Sequence, residues 1–82
     1  MPKTITYQPA ALKSLRRMPV NTARRIVSKI AAYADDPAAQ ANNVKALKHS
    51  DAIRLRVGDW RVIMVDGHVI DVVKIAPRGN AY

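Results

Sequence analysis

The sequence predicts an α+β domain: two helices, then strands that form a mostly antiparallel sheet. Three observations predict it. In the first half, Ala23, Ile26, Val27, Ile30, Ala31 and Ala34 recur at the spacing of one buried helical stripe. The second half carries short runs of period-two alternation, broken by Gly58-Asp59 and Asp66-Gly67. Helices followed by strands, without strict alternation, imply helices set on one side of an antiparallel sheet.

Taken in order, residues 3–7 (Lys-Thr-Ile-Thr-Tyr) alternate polar with β-favouring types and read as a short strand. Pro9 suits the first turn of a helix, where its missing N–H costs nothing. Ala11, Leu12, Leu15 and Met18 fall at helical spacing, and Pro19 separates this helix from the second. The second helix turns Arg24, Arg25, Ser28 and Lys29 away from its apolar stripe, and Asp35-Asp36-Pro37 ends it. Two short helices joined at a proline are expected to form a two-helix hairpin lying on the sheet. Residues 37–51, rich in Ala, Asn and Lys, read as a loop anchored by Val44 and Leu47.

Ile53, Leu55 and Val57 then alternate with Arg54 and Arg56, which gives a strand with one apolar and one cationic face. Residues 60–65 are apolar on both faces apart from Arg61, as expected of a central strand covered on each side, with Trp60 as a core aromatic. Asp66-Gly67 is a two-residue hairpin signal whose central positions favour φ > 0. A last strand over residues 69–76 completes the order β-α-α-β-β-β in one domain spanning residues 1–82.

Fourteen Lys and Arg face six Asp and no Glu, for a formal net charge of +8. A field of that sign draws polyanions. With no Cys there is neither a disulfide nor a thiolate metal site. His49 and His68 are far apart in sequence, so no metal site is expected, and His68 reads as a solvated turn residue. The three Gly sit at turns and make no phosphate loop. No cofactor is expected. No apolar run approaches the roughly 20 residues of a membrane span, and no leader is evident, so a cytoplasmic protein is expected.

What remains is a cluster of arginines. Arg54 and Arg56, two apart on a strand, share a face at a separation of about 7 Å. Pairing across Gly58-Asp59 brings Arg61 beside them. Three guanidinium groups repel one another unless an anion sits among them, and their planar fork of donors matches phosphate. The cations of the helices (Lys13, Arg16, Arg17, Arg24, Arg25 and Lys29) read as a solvated face.

The run Leu47-Lys48 followed by Ile53-Arg54-Leu55-Arg56-Val57-Gly58-Asp59-Trp60-Arg61-Val62-Ile63 resembles the signature of RelE-type toxins of bacterial toxin–antitoxin pairs, within the RelE/ParE superfamily. The ending Lys74-Ile75-Ala76-Pro77-Arg78-Gly79-Asn80-Ala81-Tyr82 resembles the last strand of that family, so the resemblance covers almost the whole chain. It implies a metal-independent endoribonuclease that cuts mRNA in the ribosomal A site, the 2′-OH attacking the adjacent phosphate. By position, Arg54 and Arg56 match a basic pair that is often Lys, and Arg61 matches the arginine holding the scissile phosphate. Arg78 matches the arginine near the leaving group, and Tyr82 a tyrosine that stacks on a base or helps move the proton. Lys48, His49 and Lys74 extend the expected RNA-binding surface.

Arginines supply a phosphate clamp but serve poorly as acid or base. The general base is therefore open among Tyr82, His49, Asp59 and a group of the ribosome. The resemblance also implies a cognate acidic antitoxin, with operator DNA engaged only through that partner. Two alternatives stand beside the ribonuclease: a ParE-like, non-catalytic inhibitor of DNA gyrase, and a toxin with a decayed site acting in a repressor complex.

Overall fold

Prolines set where the helices begin. In the structure, a computed structural model that describes residues 3–48 and 50–78, α1 spans Pro9–Arg17 and α2 spans Val20–Asp35. Neither has a side-chain N-cap bond, so both depend on packing rather than on their ends. Strand β1 (Ile5–Tyr7) precedes them. After α2 come a 3-10 turn, Pro37–Asn43, and four strands: β2 (Val44–Ala46), β3 (Ala52–Val57), β4 (Trp60–Asp66) and β5 (Ile70–Pro77). No helix among the described residues is long and apolar enough to cross a membrane.

The five strands lie in the order β1-β5-β4-β3-β2. Pairing is antiparallel from β2 through to β5, and β1 joins β5 in parallel, with Ile5 opposite Ile70 and Tyr7 opposite Val72. Bonds from the Ile70 N–H to the Thr4 carbonyl and from the Gln8 N–H to the Val72 carbonyl, both 2.8 Å, secure the two ends of this pairing.

The main core lies between the helices and one face of the sheet. Ala11, Ile26 and Ile30 from the helices meet Leu55, Val62, Met64, Val72 and Ile75 from the strands, all essentially buried. Trp60 packs at its margin, partly buried. Val72 and Ile75 are three apart, and strict alternation would send them to opposite faces. A register shift opposite Ile63 and Met64 leaves Val73 as an extra residue, so that both reach the core.

Three details of the sequence reading are corrected. The segment read as a loop over 37–51 contains the 3-10 turn and β2, because a strand of three residues is too short to show a period. Residues 60–65 were expected to be covered on each side. On the face away from the helices, Ile63 is instead shielded only by a small cluster with Ala52 and Ala76, flanked by Leu47 and Val65. The Asp66-Gly67 hairpin has a three-residue loop, because Asp66 stays in the ladder opposite Ile70. The Asp66 carboxylate is held there, accepting from Tyr33 Oη at 2.7 Å and from Lys3 Nζ. Gly58, with φ of 58°, is the described glycine with positive φ.

Gly58→Ala is therefore expected to cost about 1–2 kcal/mol, since a side chain in the left-handed region clashes with its own backbone. A lower urea midpoint at unchanged slope is the expected readout, and an unshifted midpoint would remove the turn from the argument. A second expectation concerns Tyr33. Burial first, then the hydrogen bond and charge of Asp66, push its phenol from 10.0 up to about 12. The folded state thus holds that proton more tightly than the unfolded chain does. The associated stability is whole below pH 10 and is lost as pH rises toward 12. Tyr33→Phe should flatten that alkaline decline in urea midpoints, at a cost of about 1 kcal/mol at neutral pH. An alkaline limb identical to wild type would exclude Tyr33 as its source. Asp66 behaves in the opposite sense: the hydrogen bond from Lys3 holds its carboxyl below the ordinary range, against an opposing effect of burial. Its stabilisation is present above that range and lost as pH falls below it.

Candidate nucleic-acid interface

The hairpin register decides which side chains meet. Leu55 faces Val62 and Ile53 faces Met64 on the core side, so the residues between them must point to the other face. There Arg56 stands directly opposite Arg61, and Arg54 opposite Ile63. The same row continues outward, with Lys45 of β2 opposite Arg54 and Lys74 of β5 opposite Ile63. A basic stripe therefore crosses four strands over the small apolar floor of Ile63, Ala52 and Ala76. Lys45 was missed in the sequence because its strand was read as loop. The alternation of Val44, Lys45 and Ala46 is the signal that was present.

Arg54 and Arg56 share a strand face but line different cavities. Arg54, half-buried, lines a cavity of about 370 Å³ with Lys45, Leu47 and Lys48. Pairing with β2 ends at Leu55, so β3 is a free edge at Arg56. Arg56 lines a groove of about 610 Å³ with Arg25 and Lys29 of α2. Arg61 Nη1 donates to the Gly58 and Trp60 carbonyls at 3.2 and 3.1 Å.

Arg78 is exposed, and its backbone N–H donates to the Asp59 carbonyl at 2.7 Å. The Gly58-Asp59 turn thus fixes both Arg61 and the start of the segment after β5. Lys48 and Lys74 are exposed. His49 and Tyr82, expected to serve RNA, lie outside the described residues. Asp59 lines the 610 Å³ groove. The one ion pair among the described residues, Lys3 with Asp66, is remote in register from the stripe. No group of metal-ligating side chains occurs among the described residues.

Solved RelE chains share this fold. The archaeal RelE–RelB complex from Pyrococcus horikoshii OT3 contains a chain that is 27% identical, with a TM-score of 0.81, over 99% of this chain and all of that one. The RelBE2 toxin–antitoxin complex from Mycobacterium tuberculosis matches at 15% identity and a TM-score of 0.79, over 95% of this chain and 100% of that one. The intact E. coli RelBE complex matches at 16% and 0.75, over 95% of this chain and 98% of its counterpart. No protein of curated function matches the chain. Residues 5–82 match the model of the ParE toxin of type II toxin–antitoxin systems, parDE, and the chain belongs to that family within the RelE/ParE superfamily.

Arg56 and Arg61 are like charges set directly across a ladder, which destabilises a sheet by several tenths of a kcal/mol. Arg56→Gln should accordingly raise the urea midpoint slightly while weakening polyanion binding. A midpoint that falls would show that Arg56 is held by attractive contacts.

Proposed function

We propose that this toxin is of the RNA-cleaving kind, acting on mRNA in the ribosomal A site. The observation that carries the reading is the basic stripe of Lys45, Arg54, Arg61 and Lys74 on the sheet face away from the helices, continued by Arg56 at its edge. Such a surface suits a phosphodiester, because arginine grips two oxygens at once and stays charged while negative charge builds on phosphorus. In the reaction, a 2′-hydroxyl loses its proton to a base and its oxygen bonds to the adjacent phosphorus. The bond to the 5′-oxygen breaks, and that oxygen takes up a proton, leaving a 2′,3′-cyclic phosphate and a 5′-hydroxyl. Arg61 would hold the scissile phosphate after exchanging its turn carbonyls for phosphate oxygens, and Arg54 and Arg56 would position the strand. Arg78 would stabilise the leaving oxygen, and Tyr82 would stack on a base or move the proton. Lys48, His49 and Lys74 would bind flanking RNA.

An acidic antitoxin is the expected partner, as RelB is in the solved RelE complexes. The apolar groove of about 470 Å³ that includes Leu15, Met18, Val20 and Val27, rimmed by Arg16 and Arg24, suits an amphipathic segment of such a protein. DNA would be reached only through that antitoxin. A second reading, a non-catalytic toxin directed at DNA gyrase, is favoured by the match to the ParE model.

The two readings part in one experiment. Inducing the toxin should produce cuts within translated messages, mapped by primer extension. Intact messages together with trapped gyrase–DNA breaks would transfer the case to the second reading. Arg61→Ala should abolish growth inhibition while leaving fold and antitoxin binding intact. Retained toxicity would remove that arginine from the clamp.

A further inference from the structure

The 610 Å³ groove on the helix side of the β3–β4 turn has not been used by the reaction above. Arg25 and Lys29 stand one turn apart on α2, on the flank of the stripe that buries Ile26 and Ile30. The Arg25 guanidinium lies over the turn: a Cβ added to Gly58 would sit 3.9 Å from its Nη1. Arg56, beyond the last residue of β3 paired with β2, lines the same groove. These three cations form no ion pair among the described residues, although Asp59 also lines the groove. Three positive charges against one negative, in a shared concave space, repel one another and hold a positive potential there.

We propose that this groove is a second phosphate-binding site, which takes the backbone of a single-stranded RNA beyond the sheet face. The inference rests on the RNA reading of the basic stripe and extends it around the edge of β3. Arg56 makes the two surfaces continuous, since it stands opposite Arg61 in the stripe and also lines the groove. The lining decides between RNA and protein as occupant. Apart from Val57, the groove is lined by polar and charged residues and glycine, with little apolar surface to anchor a peptide. The groove by Leu15 and Val20 is the apolar one. A phosphate needs charge and donors, which Arg25, Lys29 and Arg56 supply.

The test uses the full chain and a short 2′-O-methyl single-stranded RNA, which cannot be cut by 2′-OH attack. Affinity is followed by fluorescence anisotropy across a salt series. The double variant Arg25→Gln/Lys29→Gln should bind more weakly and lose about 1.4 from the log–log salt slope, as two phosphate contacts to a single strand would contribute. Lys13→Gln/Arg17→Gln, with the same change in net charge but on α1, should keep the wild-type slope. Arg25→Lys should also keep it, and circular dichroism should match wild type for all three. Equal slope losses in both double variants would reduce the effect to net charge and overturn the site. An unchanged slope in Arg25→Gln/Lys29→Gln would do the same. So would loss of binding to a polyglutamate peptide with the RNA slope intact, which would give the groove to an acidic protein. Should the wild-type chain leave messages uncut while the groove variant still loses slope, the catalytic reading fails and the phosphate site stands.

Discussion

Setting Arg56 opposite Arg61 is unfavourable in itself, and the core makes it unavoidable. Leu55 and Val62, both fully buried, fix the β3–β4 register from the other face of the sheet. A slip of one residue would turn Arg54 and Arg56 into the core, where an unpaired guanidinium costs far more than the repulsion it escapes. Hydrophobic burial on one face therefore enforces charge crowding on the other. The basic stripe, its apolar floor and the edge position of Arg56 all follow from that single register.

The Gly58-Asp59 turn then ties the surfaces together. Its positive φ is what allows a hairpin tight enough to keep Val57 opposite Trp60. Its carbonyls receive Arg61 and the backbone of Arg78, and the Arg25 guanidinium lies above it. Residues distant in sequence, from α2, β4 and the segment after β5, thus converge on two turn residues. The bulge at Val73 has a comparable role in β5, keeping Lys74 on the face away from the helices while Ile75 stays buried.

The sequence showed much of this and hid the rest for identifiable reasons. The sixteen-residue α2 was legible because its stripe repeats over four turns. The cationic face of β3 was legible because Arg54 and Arg56 alternate with three β-favouring apolar residues. β2 was not, since three residues carry too little pattern, and Lys45 was lost with it. The parallel docking of β1 on β5 was hidden as well, because pairing between the two ends of a chain leaves no local trace. The shape of the Asp66 hairpin escaped because Tyr33, more than thirty positions earlier, contributes the bond that holds Asp66 in the ladder. The groove beneath Gly58 was read as solvated helix face, since only the closed hairpin brings Arg56 to Arg25.

The pairing of β1 with β5 has a bearing on how the protein is made. β5 lies between β1 and β4, so it is an inner strand although it follows the other four in the sequence. α1 packs on β5, and Ala11 of that helix becomes buried against a surface that does not yet exist when the helix emerges. Contacts of such long sequence separation form late. A nascent chain stalled before β5 would have no strand to join its first segment to the rest of the sheet. The sheet would then close only once β5 is in place, so the basic stripe would be complete no earlier than its Lys74.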